Sequence, residues 1–92
     1  MFIGKVIGTV WSTQKDENLV GSKFLVVKRL DLSLIEKPDF VVAVDSVGAG
    51  VGEIVLVATG SSSRQTEITK NKPVDAVIMA IVDKIDVNEV SK

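Results

Sequence analysis

Asp45-Ser46-Val47-Gly48-Ala49-Gly50-Val51-Gly52-Glu53, followed by the apolar run from Ile54 to Ala58 and then by Gly60-Ser61-Ser62-Ser63-Arg64, is the stretch that decides how this chain is read. Two glycine-led turns bracket one segment of strand length, and neither turn holds a set of side chains with catalytic chemistry. Gly48, Gly50 and Gly52 resemble a dinucleotide-binding loop only superficially. That fingerprint places its third glycine one position later and follows it with a helix, whereas here Glu53 stands at that position and a strand pattern follows. The glycines read instead as a tight turn that needs positive φ or close backbone approach, a role compatible with a contact between subunits.

Working outward, the apolar alternation predicts five strands. The first runs from Phe2 to Trp11, with Phe2, Gly4, Val6, Gly8 and Val10 on one face. The second is Lys23 to Leu32, the third Phe40 to Val47 after a break at Pro38, the fourth Glu53 to Thr59 and the fifth Ala76 to Val87. Ser12 to Ser22 and Lys70-Asn71-Lys72-Pro73 read as polar loops. Ser62 and Gln65 have capping-box spacing, which predicts a short helix from Ser63 to Ile68. Strands three, four and five are apolar on both faces: Phe40, Val42 and Val44 alternate with Val41 and Ala43, and Ile54 and Leu56 with Val55 and Val57. A chain of 92 residues has little else with which to cover a second apolar face, and monomers rarely expose large apolar patches. Neighbouring copies of the chain are therefore expected to bury it.

Composition excludes several classes of function. Hydrophobic residues make up 46% of the chain but aromatics only 4%, an excess of β-branched and aliphatic side chains that favours strands. Cysteine and histidine are both absent, which removes disulfides, thiolate chemistry, the usual zinc ligands and the commonest general base. A net charge of −1 supplies no electrostatic footprint for nucleic acid or an anionic membrane. No apolar run reaches transmembrane length and no signal peptide is visible, so a cytoplasmic location is expected.

Other residues bear on chemistry. Gly60 to Arg64 at a helix start would offer N–H groups and hydroxyls to an anion, but it lacks the Gly-Lys-Ser/Thr ending of a phosphate loop. The ordinary reading is a helix cap, with Arg64 paired to Glu53, Asp45 or Asp83 of the same or a neighbouring chain. Asp45, Glu53, Asp75 and Asp83 have no metal-ligand spacing, and the serines have no histidine to activate them. Trp11, Phe2, Phe24 and Phe40 are too few, without a basic stripe, to form a single-strand stacking surface. No enzymatic activity, cofactor or metal site is expected.

The order of features resembles the bacterial microcompartment vertex family of the EutN/CcmL type. The resemblance is carried by Gly4-Lys5-Val6-Ile7-Gly8-Thr9-Val10, Leu19-Val20-Gly21-Ser22-Lys23-Phe24-Leu25-Val26-Val27, Val42 to Glu53, Val55-Leu56-Val57, Gly60 to Arg64, Pro73-Val74-Asp75 and Ile81-Val82-Asp83. It implies an all-β fold, a small five-stranded OB-like barrel with one short helix, assembling as a cyclic homopentamer. Residues 1–85 would form the vertex domain and 86–92 a polar tail. By the same resemblance the pentamer caps the vertices of a polyhedral shell in the bacterial cytoplasm, among hexameric shell proteins, with neither nucleic acid nor membrane as partner. Asp45, Gly48, Ala49, Gly50, Gly52, Glu53, Arg64 and Asp83 become candidates for the subunit interface, and Gly60, Ser61, Ser62 and Ser63 for the lining of an opening on the five-fold axis. The alternative is a free-standing OB-like barrel that binds a small anion, an oligosaccharide or single-stranded nucleic acid.

Overall fold

The computed structural model describes residues 1–11, 23–60 and 75–88. Five strands are found, β1 Phe2–Val10, β2 Phe24–Leu30, β3 Glu36–Asp45, β4 Ile54–Thr59 and β5 Ala76–Ile81. They close into a barrel in the order β1-β2-β3-β5-β4. All neighbours are antiparallel except β3 and β5, which run parallel. The expected helix at 63–68 lies outside the described residues.

The inward-facing side chains form one core of Phe2, Val6, Leu25, Val27, Ala43, Ala49, Val55, Val57, Ala76 and Ile78, with Val41 and Ile81 packed against it. Leu25, Val27, Val55, Val57 and Ile78 have no measurable exposure, and burying a side chain of that kind contributes about 1.5–3 kcal/mol. Small residues complete the wall. A Cβ on Gly4 would fall inside the contact distance of Val27 Cγ1 and 2.8 Å from the Lys28 carbonyl oxygen, so only glycine lets β1 approach β2 this closely.

Three boundaries differ from the sequence reading, each for a local reason. Strand one does not keep its alternation: Val6 pairs with Val27 but Gly8 with Val26, so Ile7 is an extra residue in a bulge. A bulge exchanges the two faces beyond it, so Gly8 shares a row with the outward Val26 and not the face of Gly4. Strand three starts at Glu36 and runs through Pro38, where the pairing passes from Lys28–Phe40 to Leu30–Glu36 irregularly. A proline at such an irregularity removes no ladder bond. Strand five ends at Ile81 rather than Val87. Val82 N–H still donates to Ile54 O at 2.8 Å, but Ile54 is the first residue of β4 and the partner strand ends there. The remaining shifts are one or two residues, at strands one, two and four and at the end of strand three, which stops at Asp45 rather than Val47.

The expectation of apolar residues on both faces holds, and the structure divides the outer face into two regions. The first is a row of cross-strand partners, Phe24–Val44–Val77–Ala58, that spans four strands; Val44, Ala58 and Val77 there form a second buried cluster against Phe24. The second is open: Phe40 is 61% and Val42 46% exposed.

Candidate functional site

The turn from Asp45 to Glu53 is built by its two terminal carboxylates. Asp45 Oδ1 accepts the N–H of Val47, Gly48 and Ala49 at 3.0, 3.1 and 3.2 Å. Aspartate is suited to this because its short side chain reaches back over the next few amides. At the other end Glu53 Oε1 accepts Gly50 N–H at 2.7 Å, while Glu53 N–H donates to Gly50 O at 3.1 Å. Gly48 and Gly52 turn the chain with φ of 78° and 95°, values an L side chain adopts only under strain.

The turn is anchored on three sides. Gly52 N–H donates to Val6 O at 2.8 Å and Val6 N–H to Glu53 O at 3.0 Å, which extends the β1 ladder into it. Lys23 Nζ donates to Ala49 O at 3.1 Å and lies 3.9 Å from Asp45 Oδ2. The Asp45 side chain is only 3% exposed, so its charge is held between a cation and a fan of amides. Ser46 Oγ donates to Ile78 O and ties the turn to β5. Ala49, with no exposure, is part of the barrel core.

The candidate residues thus divide. Asp45, Gly48, Ala49, Gly50, Gly52 and Glu53 form one unit, braced by the bonds that Asp45 Oδ1 and Glu53 Oε1 accept from its amides. Its outward side chains are Val47, 39% exposed, and Val51, 65% exposed. Asp83 lies apart from this unit, on the rim of a groove of about 120 Å³ lined also by Leu34, Ile54, Val82, Lys84 and Ile85. Gly60, with φ 65°, follows β4 directly. Ser61, Ser62, Ser63 and Arg64 lie outside the described residues, and with them the expected pairing of Arg64 to Asp45, Glu53 or Asp83.

Sequence reasoning missed Lys23, Ser46 and the groove. Lys23 is adjacent to Asp45 because Phe24 pairs with Val44, and that register is invisible until the strands are aligned. The groove combines the β2–β3 hairpin with the start of β4 and the segment after β5, three places remote in sequence. Among the described residues no group of three or more carboxylates is placed to hold a metal ion. The arrangement offers shape, a braced turn and exposed apolar side chains.

Comparison with known proteins agrees with that geometry. A family model described as ethanolamine utilisation protein EutN/carboxysome matches residues 1–83. The chain is 51% identical over 86 residues to the bacterial microcompartment shell vertex protein GrpN of Rhodospirillum rubrum, covering 94% of this chain and 97% of the relative. The solved structure of that relative, a pentameric microcompartment shell protein, matches with a TM-score of 0.87 at 50% identity, over 95% of this chain and 99% of the other. The structure of Gloeobacter violaceus CcmL matches with a TM-score of 0.91 at 44% identity, over 96% and 91% of the two chains.

Proposed function

The chain belongs to the EutN/CcmL family of bacterial microcompartment shell vertex proteins, and from that premise we infer that five copies form a ring that fills the vertices of a polyhedral protein shell. Its work is structural. A sheet of hexagonal tiles cannot close into a polyhedron without five-fold points, and a pentamer of small rigid barrels supplies them. Hexameric facet proteins of the same shell are its neighbours at the vertex.

The observation that carries this reading is the closed barrel that leaves Phe40 and Val42 on its outer face. A solitary soluble domain has no use for such a strand, while a subunit of a cyclic assembly has. Five-fold symmetry calls for a heterologous contact, in which two different patches of each chain meet. The braced 45–53 turn and Asp83 lie near that boundary, with Arg64 as a cationic partner to Asp45 or Asp83. Gly60, Ser61, Ser62 and Ser63 border the opening on the axis. Because Asp45 and Glu53 are engaged within their own turn, the turn contributes to the boundary through its fixed shape and through Val47 and Val51.

Native mass spectrometry over a range of concentrations tests the reading. A dominant species of about 49 kDa, five times the 9.8 kDa chain, is the expected result. A persistent monomer would overturn it. A second stage reconstitutes shells from the facet proteins with and without this chain, and closed polyhedra are expected only with it.

A further inference from the structure

Lys23 is joined to Asp45 twice. Its backbone carbonyl accepts Asp45 N–H at 2.9 Å, and its side chain returns over the same residue, with Nζ 3.9 Å from Asp45 Oδ2 and 3.1 Å from Ala49 O. One ammonium therefore spans the arc from Asp45 to Ala49. Inside that arc lies Val47, whose side chain faces outward, 39% exposed.

The two carboxylate oxygens of Asp45 are used differently. Oδ1 accepts the N–H groups of Val47, Gly48 and Ala49, whereas the group beside Oδ2 is the Lys23 ammonium. The Asp45 side chain is 3% exposed and that of Lys23 53%. A carboxylate so buried draws little on water, and its charge has to be met by donors fixed around it. Asp31 supplies the contrast. It holds the β2–β3 hairpin in a similar way, its Oδ1 accepting Ser33 N–H at 2.8 Å and Ile35 N–H at 3.0 Å, but from an exposed position where water solvates the rest.

Both oxygens that meet the ammonium are held by the fold. Ala49 has no exposure and belongs to the barrel core, which fixes its carbonyl. Asp45 ends β3, and three amides fix its carboxylate. A carbonyl and a carboxylate facing one point suit a compact cation with several N–H groups. A primary ammonium is such a cation, with three donors and no acceptor.

We propose that Ala49 O and Asp45 Oδ2 form a slot for one primary ammonium, that Lys23 fills it from within the chain, and that this ammonium holds the arc in the shape that presents Val47. Lys23 is thus a positioning residue for the turn. The vertex reading enters only in making the turn a surface that shell neighbours meet.

Lys23→Ala empties the slot, and an added amine can refill it. Amide hydrogen exchange, read at one protomer concentration, should quicken about tenfold at Val47, Gly48 and Ala49 as a charge-assisted contact is lost. Gly50 N–H, held by Glu53 Oε1 at the other end of the turn, should keep its rate. Ethylammonium chloride should slow the three amides again, while tetramethylammonium chloride, with the same charge and no N–H, should not. Lys23→Met keeps the aliphatic stem and lacks only the charged head, so it reads the loss of protection even where alanine at that position unfolds the chain; no amine should rescue it, because the stem occupies the approach. Unchanged exchange at the three amides, a loss shared equally by Gly50, no response to ethylammonium in Lys23→Ala, or equal recovery with tetramethylammonium would each overturn the slot. A wild-type chain that stays monomeric in native mass spectrometry, with the ethylammonium rescue intact, would remove the vertex reading and leave the slot standing.

Discussion

Gly4→Ala tests whether the barrel wall is as tight as the structure requires. The added methyl would lie 2.8 Å from the Lys28 carbonyl oxygen and 3.2 Å from Phe2 Cε1, and closer still to Val27 Cγ1. The side chain of Val27 is fixed in a core with no measurable exposure, and the Lys28 carbonyl belongs to the β2 backbone, so neither yields cheaply. Overpacking of this kind costs about 1–3 kcal/mol, and each kcal/mol lowers the melting temperature of a domain this size by about 4–8 °C. A fall of about 4–24 °C is therefore expected in a thermal melt, read at one fixed protomer concentration because association shifts the midpoint. Gly8→Ala is the internal control. Its Cβ would sit 3.9 Å from Val26 Cβ, an ordinary contact, and the substitution stiffens the unfolded chain, so it should melt at or slightly above wild type. Equal midpoints for the two variants would refute the claim that β1 and β2 are held together by the missing side chain at Gly4.

Asp45→Ala should destabilise the chain by about 1–3 kcal/mol, because three amides lose their acceptor; Asp45→Asn keeps an oxygen there and should recover part of the loss in urea titration. Glu53→Gln retains an acceptor for Gly50 N–H and should slow or speed hydrogen exchange at Gly50 far less than Glu53→Ala, which should leave that amide poorly protected. Gly52→Ala meets no atom within 4 Å but must hold φ 95°, so a cost of about 1–2 kcal/mol from backbone strain alone is expected in the same titration. Ser46→Ala removes the hydroxyl bond to Ile78 O and should cost about 1 kcal/mol without changing the oligomeric state.

The five strands were legible from alternation and the turn between β3 and β4 from its glycines, because both signals are local. Gly48 and Gly52 do adopt the positive φ that their spacing suggested. What alternation alone could not reveal depends on pairing. The bulge at Ile7 moves Gly8 and the residues after it to the other face, and a strand cannot signal an extra residue except against its partner. The early end of β5 follows from where β4 begins, and the continuation of β3 through Pro38 from an irregular stretch opposite Arg29. Asp45 and Glu53 were legible as important but not in their role. A carboxylate before a glycine-rich turn suits a partner's cation and its own amides equally well on paper, and only the 3.0–3.2 Å fan of N–H groups in the folded chain shows the second role.

That distinction bears on how a vertex subunit associates. Had the acidic residues of the turn projected outward, the ring would depend on charge pairs, which contribute little when exposed and are weakened by salt. Instead Asp45 Oδ1 and Glu53 Oε1 accept amides of the turn, Lys23 lies 3.9 Å from Asp45 Oδ2 within the chain, and Glu36 is flanked by Lys5 and Lys28 of the same barrel. Among the described residues Asp45 and Glu36 are thus paired within each copy before any contact is made. Among the described residues the large apolar side chains left exposed include Phe40 and Val42 on β3, Leu32, Leu34 and Ile35 at the β2–β3 hairpin, and Val51 on the turn. Apolar burial is non-directional, so the angle between subunits has to come from the rigidity of what carries those side chains. The closed barrel, the Asp31-locked hairpin and the doubly braced 45–53 turn supply it.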